Sequence, residues 1–221
     1  MNASPRVRWL GRMEFGRALS EQERVVARKQ ADPLTPDEFL LLEHEPVYTI
    51  GRTPDQSSLR GASHLPYPLF PINRGGQATY HGPGQLMVYP IMDLHRYGRD
   101  LHRYLRWLEQ LILDLLADYE INGQRRAGLT GVWIGPRKIA SIGVGVRRWI
   151  TMHGFALNVT GDLAPFREIV PCGIRDVAMT SIEKETGTPI SVIDVAAHFE
   201  KMALTRLAVL GLTREAQTAN A

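Results

Sequence analysis

The residue in this sequence best suited to nucleophilic chemistry is its one cysteine, Cys172, which lies in Ile169-Val170-Pro171-Cys172-Gly173-Ile174. Most single cysteines are inert, buried apolar side chains. Here Pro171 and Gly173 flank the thiol, and that pairing predicts a turn presenting the sulfur in a cleft. A free thiol with a pKa of about 8.5 is only a few per cent ionised at neutral pH, so a nucleophile at this position needs a nearby cation or base. Lys138 is the candidate. The stretch Val132 to Ile142 is mostly apolar, and Arg137-Lys138 interrupts it at the start of an expected strand. Two readings stay open at this point: a solvent-facing lysine beside a hairpin turn, or a partly buried one whose lowered pKa lets it exchange a proton with a thiol.

A second concentration of chemistry runs from Arg74 to Gln85, as Arg74-Gly75-Gly76-Gln77-Ala78-Thr79-Tyr80-His81-Gly82-Pro83-Gly84-Gln85. Glycines let a backbone approach a ligand closely, and Arg, Gln and His add directed polar contacts around a cleft. The alternative is a glycine-rich turn between strands. Neither a Walker A sequence nor a dinucleotide fingerprint is present, since Gly143-Val144-Gly145 lacks the third glycine and a following helix. His44-Glu45-Pro46 is not HExxH, and no metal site or cofactor is expected. His44, His81 and His153 lie near glycines at expected strand ends, with His44 and His153 as supporting candidates, whereas His95, His102 and His198 read as surface residues.

The elements that must position these groups are legible in outline. A helix is predicted over Phe15 to Gln30, ending before Asp32-Pro33. One buried strand is predicted from Phe39 through His44 toward Val47-Tyr48-Thr49-Ile50, then an irregular loop from Gly51 to Pro71. Leu86 to Pro90 reads as a strand. Apolar residues Leu101, Leu105, Leu108, Ile112, Leu115 and Tyr119 mark a helix between Asp100 and Tyr119, with Asn122-Gly123 as its stop. Thr130 to Ile134 and Lys138 to Val144 flank Gly135-Pro136 as a hairpin, Trp149 to Val159 forms a third strand, and a last helix runs from about Ser191 to Val209. This order is not a regular βαβ alternation. It predicts an α+β fold, a mostly antiparallel or mixed β-sheet flanked by helices, in one domain over residues 1–221 with a core at about 7–210 and a frayed tail at 212–221.

Composition narrows the function classes. With 221 residues, 44% of them hydrophobic, the chain should bury roughly 70% of its unfolded surface and needs no disulfide or structural metal. One cysteine cannot form an internal disulfide, which fits a reducing cytoplasmic setting. No window reaches the ~18 apolar residues of a membrane span, Asp114 interrupts Leu111 to Leu116, and no signal peptide is read at the N-terminus. Twenty-six basic against 23 acidic residues give a net charge of +3, too small and dispersed an excess to indicate nucleic acid. An acidic protein partner stays open, and Arg96, Arg99, Arg103 and Arg106 within His95 to Arg106 form one basic cluster that could meet it.

Taken together, five ordered blocks closely resemble the lipoyl (octanoyl) transferase family. They are Leu42-Glu43-His44 with Pro46 to Gly51; Arg74 to Gln85 followed by Tyr89-Pro90; Lys138 to Gly143; His153 to Asn158; and Pro171-Cys172-Gly173-Ile174 with Thr180-Ser181. They cover about residues 7 to 205. Glu45, where many members have proline, departs from the pattern and affects only the local loop. The resemblance implies a fold similar to the biotin and lipoate protein ligases. It also implies transfer of an octanoyl group from acyl carrier protein to a lysine of lipoyl domains, those of 2-oxoacid dehydrogenase complexes and the glycine cleavage H protein. Cys172 would carry the acyl group and Lys138 would lower the thiol pKa and act as general acid and base. The segments Arg74 to His81, Ser141-Ile142-Gly143 and Gly154-Phe155-Ala156 match the family's substrate contacts. Backbone N–H groups, that of Cys172 or Gly143 among them, are candidate oxyanion donors. Two other readings compete: an ATP-dependent ligase acting on free acid, and a non-catalytic binding module. The Pro-Cys-Gly-Ile context speaks against the first, and the presence of both Cys172 and Lys138 against the second.

Overall fold

A computed structural model of the protein describes residues 5–53, 55–60, 65–174 and 177–218. In chain order its elements are β1 (Arg6–Met13), α1 (Phe15–Ala31), β2 (Glu38–His44), β3 (Val47–Ile50), β4 (Leu69–Pro71), β5 (Thr79–His81), β6 (Gln85–Ile91), α2 (Leu101–Ala117), β7 (Gln124–Arg126), β8 (Leu129–Ile134), β9 (Arg137–Arg147), β10 (Ile150–Asn158), α3 (Ile182–Thr186) and α4 (Val192–Thr218). Seven strands form one sheet in the order β1-β2-β6-β10-β9-β8-β7, and β4-β3-β5 form a second. In the large sheet only β1 and β2 pair in parallel, with α1 as their crossover, and the remaining pairs are antiparallel. The α+β expectation therefore holds.

Alternation along the strands divides the interior in two. Leu86 and Val88 of β6 and Phe39 and Leu41 of β2 face a core shared with α2 and α4. Met87 and Tyr89, with Leu40 and Leu42, face the opposite way onto Ala18, Val25 and Val26 of α1. The Asp100 carboxylate caps α2 by accepting the Arg103 N–H at 2.9 Å, an N-cap that satisfies one orphan donor of the first turn.

Three expectations need correction. The single strand predicted from Phe39 to Ile50 is two strands in different sheets. Pro46 cannot donate to a ladder and pushes Glu45 out of line, so β2 stops at His44 and the Glu45 N–H turns to the Met13 carbonyl at 3.1 Å. The loop from Gly51 to Pro71 contains a 3-10 turn at Ser57–Leu59 and the edge strand β4. The last helix continues past Val209 to Thr218, so the expected frayed tail is helical over 212–218, and 219–221 lie outside the described residues. Among the described residues no helix is long and apolar enough to cross a membrane.

Candidate active site

The division of β9 between two neighbours opens a cleft. Its first residues pair with β8, as Ile134 with Arg137 and Val132 with Ala140, whereas the pairing onward from Ser141 is with β10 alone. Farther along, the free edge is met by the Arg74 loop, where the Gly75 N–H donates to the Val144 carbonyl at 3.0 Å. Between these points lies a cavity of about 180 Å³. Its floor includes Ser141, Gly143, Gly154 and Ala156, and its roof Arg74, Thr79 and His81. Close approach requires glycine here: a Cβ on Gly143 would fall 2.8 Å from Arg74 Cδ.

Cys172 enters this cavity from a tight 3-10 turn, Pro171–Gly173, in which Cys172 (φ 55) and Gly173 (φ 72) are left-handed. Such a φ costs a non-glycine residue energy and persists where the surroundings enforce it. They do so by pinning the turn to β5 and the 3-10 turn before it. The Cys172 N–H donates to the Ala78 carbonyl at 2.9 Å, the Val170 N–H to the Ser58 carbonyl at 2.7 Å, and the Ala78 N–H to Ser58 Oγ at 3.1 Å. The thiol is half-buried, with Sγ 3.7 Å from Ser141 Oγ. Burial alone would push its pKa up. The charge of Lys138 and a hydrogen bond from it, joined by the Ser141 hydrogen bond and the charge of Arg74, outweigh burial and bring the thiol below its ordinary value.

Lys138 is 1% exposed, which decides between its two readings in favour of burial. Its ammonium lies 5.0 Å from the centroid of the Trp133 ring, a cation–π contact. The stem crosses Gly131 (φ 134), where a Cβ would meet Lys138 Cε at 2.9 Å. Gly131 in turn donates its N–H to Glu109 Oε1 at 3.1 Å, and Glu109, fully buried on α2, also accepts from Arg106 and Arg125. The backbone of Lys138 is clamped from the Cys172 side: its N–H donates to Ala178 O at 2.8 Å, and Thr180 N donates to its carbonyl at 3.0 Å.

Arg74, also buried, donates to three neutral oxygens among the described residues: Gly75 O at 2.9 Å, Thr49 O at 3.1 Å and Thr49 Oγ1 at 2.9 Å. Burial pulls its pKa down, but a guanidinium stays charged at any physiological pH. Among the described residues neither Arg74 nor Lys138 is ion-paired to a carboxylate. Two buried cations, neither ion-paired among the described residues, flank one thiol. That arrangement favours a thiolate and any further negative charge that develops beside it.

The sequence matches the family model "Lipoyl protein ligase A/B catalytic domain" over residues 16–203. The chain belongs to that family. It is 50% identical over 189 residues to the octanoyltransferase of Geobacter metallireducens, covering 86% of this chain and 87% of that one. Two more distant solved structures share the fold. A bipartite lipoate protein ligase from Thermoplasma acidophilum has a TM-score of 0.68 at 17% identity, with 94% of this chain and 84% of that one covered. Biotin protein ligase from Aquifex aeolicus, in complex with biotin and ATP, has a TM-score of 0.53 at 16% identity, covering 91% and 69%.

Within this lipoyl protein ligase A/B domain, most residues singled out in the sequence converge. Arg74, Gly76, Gln77, Thr79 and His81 line the cavity, as do Lys138, Cys172 and His153, and the segments Ser141–Gly143 and Gly154–Ala156. Ala78 and Tyr80 do not. Along β5 and the residue before it they alternate with Thr79 and His81, and they face a separate cluster with Tyr48 and Phe166. Gly75 contributes through its backbone, and His44 lies behind the lining. Among the described residues, buried Gln77 Oε1 and Thr79 Oγ1 have no hydrogen-bond partner, so the cavity wall holds unused polar capacity.

Three expectations change. The Cys172 N–H is committed to Ala78 O and is no oxyanion donor as it stands. Gly143 sits opposite Gly154. Because Val144 turns its carbonyl outward to Gly75, alternation directs the Gly143 amide into the β10 ladder and the Ile142 amide toward the open edge. His153 lies inside β10 and not at its end. Burial pushes His44 down to about 4, and burial followed by the charge of Arg74 does the same to His153, so at neutral pH both are uncharged. His44 Nε2 accepts from the Tyr89 hydroxyl at 2.6 Å while Nδ1 donates to Met13 O at 3.1 Å, which marks it as structural. Two arginines of the His95 to Arg106 cluster are ion-paired, Arg96 with Asp37 and Arg106 with Glu109. Thr49, Gly131, Trp133 and Glu109 were not singled out in the sequence. The odd Gly131 inside a strand pattern was the one available signal.

Proposed function

We propose that the protein transfers an octanoyl or lipoyl group from acyl carrier protein to a specific lysine of lipoyl domains, including those of 2-oxoacid dehydrogenase complexes and the glycine cleavage H protein. Cys172 carries the acyl group in between, and the chain works as one domain in the cytoplasm. The observation that carries this reading is the Cys172 thiol, lowered below its ordinary pKa by Lys138 and Arg74 at the edge of a cavity large enough for an acyl chain.

The Cys172 thiolate attacks the carbonyl carbon of the donor thioester. The carbon–sulfur bond to the carrier breaks, and the departing thiolate takes a proton from Lys138. A neutral acceptor lysine then attacks the new thioester, Lys138 receives the proton the amine gives up, and Cys172 leaves as thiolate with an amide formed. The donor arrives activated, so no ATP is required. Incubation with octanoyl carrier protein should add about 126 Da to the intact protein, an octanoyl group replacing hydrogen, and none to Cys172→Ser. Absence of the adduct, or octanoylation of a lipoyl domain from free octanoate and ATP without carrier protein, refutes the thioester route.

A further inference from the structure

Resting on the acyl-transfer reading, we infer that His153 and Ile72 form the end wall of the acyl pocket and set the chain length the protein accepts. Two cavities lie end to end on the same pair of strands. The one beside Cys172 is floored by Ser141 to Gly143 of β9 and Gly154 to Ala156 of β10. The next, of about 490 Å³, begins where that one stops, over Gly145 to Arg147 of β9 and Met152 and His153 of β10, with Leu19, Glu23 and Val26 of α1 along its side. Ile72 and His153 are the two residues that line both.

The spacing suits an acyl ruler. Ser141 holds the sulfur end, and Val144, three residues on, pairs with His153. At the rise of a β-strand that is roughly 10 Å, about the reach of an extended eight-carbon acyl chain. Between the two ends the cavity is lined by Ile142 and Gly143 of β9 and by Gly154 and Phe155 of β10.

His153 reaches this position through its backbone. Strict alternation would send its side chain with Phe155 and Leu157 toward the α2 core. Instead it is left-handed at φ 57 inside β10, and its ring packs edge-on to Tyr89 on the α1 side, 6.3 Å between centroids. Gln22 of α1 holds the turned backbone by accepting the His153 N–H at 2.7 Å. A non-glycine residue kept in that region within a strand is a device with a use. The ring is uncharged at neutral pH, as burial and the Arg74 charge require, so it closes this end of the pocket without placing a cation against a methyl group. Ile72 is only half-buried, and its truncation should leave folding intact.

The test compares octanoyl, decanoyl and dodecanoyl carrier-protein thioesters, following the Cys172 adduct by intact mass. Ile72→Ala, and Ile72→Ala with His153→Ala, should raise the dodecanoyl-to-octanoyl rate ratio about tenfold or more by joining the cavities, and Ile72→Trp should lower it. A ratio unchanged in Ile72→Ala overturns the inference. Calorimetric binding of free octanoate and dodecanoate to unaltered protein and Ile72→Ala asks the same question without turnover. Failure of the unaltered protein to load any donor, with the length shift still seen in binding, refutes the transfer reading and leaves the end wall standing.

Discussion

Replacing Thr49 by valine, nearly its isostere, isolates one hydroxyl that organises the roof of the site. Thr49 Oγ1 accepts from Arg74 Nη2 at 2.9 Å and lies 3.2 Å from His81 Nε2. The direction of that second bond follows from its neighbours. Gln85 Nε2 donates to Tyr80 O, which turns Gln85 Oε1 toward His81 Nδ1 at 3.3 Å, so Nδ1 carries the proton and Nε2 accepts from the threonine hydroxyl. His81 is fully committed to this neutral form, because burial first and the charge of Arg74 with it push its pKa well down. Valine removes a hydrogen bond to a buried cation, worth about 1.5–3 kcal/mol, and orphans a buried acceptor at about 1–3 kcal/mol. The Thr49 carbonyl still receives Arg74 at 3.1 Å, which limits the loss to about 2.5–5 kcal/mol. With a urea m-value of about 2.5 kcal/mol/M, the midpoint should fall by about 1–2 M. A loosened Arg74 should also shift the pH profile of Cys172 alkylation by iodoacetamide to higher pH, and Thr49→Ser should restore both. A Thr49→Val protein with an unmoved midpoint and an unmoved alkylation profile refutes the relay.

Lys138→Met should slow both acyl transfers on the order of 10² to 10⁴. It should also move Cys172 alkylation to higher pH, because burial then acts on the thiol with less opposition; unchanged rates across pH 6–9 would make Lys138 structural. Acid should destabilise the fold through His44 and His153. Each sits at about 4 when folded against an ordinary value of 6.5, so between these values the unfolded chain holds protons the folded one lacks, and stability rises with pH across that window. Each histidine contributes up to about 3 kcal/mol of stability at pH 7 that is lost as pH falls toward 4. Urea titrations at pH 7, 5.5 and 4.5 that give the same stability would contradict the burial of neutral imidazoles.

What the sequence reveals and conceals follows from range. The Pro171-Cys172-Gly173 turn, the hairpin around Gly135-Pro136 and the helix after Asp100 are written in neighbouring residues, and they appear where expected. β1 was missed because an edge strand at the sheet margin tolerates Arg6, Arg8 and Arg12, which hide its alternation. The break at Pro46 was overridden by the continuous apolar run on either side of it, although that proline is what sends the chain into a second sheet. Lys138 could be nominated from its place in an apolar stretch, but its burial depends on Gly131 and on the segment Ala178 to Thr180, which bridges to it at Met179. Thr49 and Glu109 lie 25 and 22 residues from the partners they serve, beyond any local pattern. The division of β5 between Thr79 and His81 on one face and Ala78 and Tyr80 on the other was readable in principle, once that short segment is seen as a strand.

The cations that favour a Cys172 thiolate also expose it to oxidants, since thiolate character and solvent access govern the step to sulfenic acid. Many thiol enzymes contain such damage by condensing the sulfenic acid with a neighbouring cysteine. The 221 residues hold no second cysteine, so rescue must come from a thiol in solution, before further oxidation to the sulfinic acid ends activity for good. Occupancy by an acyl group would shield the sulfur, which makes the resting protein, starved of donor, the form most easily lost to peroxide.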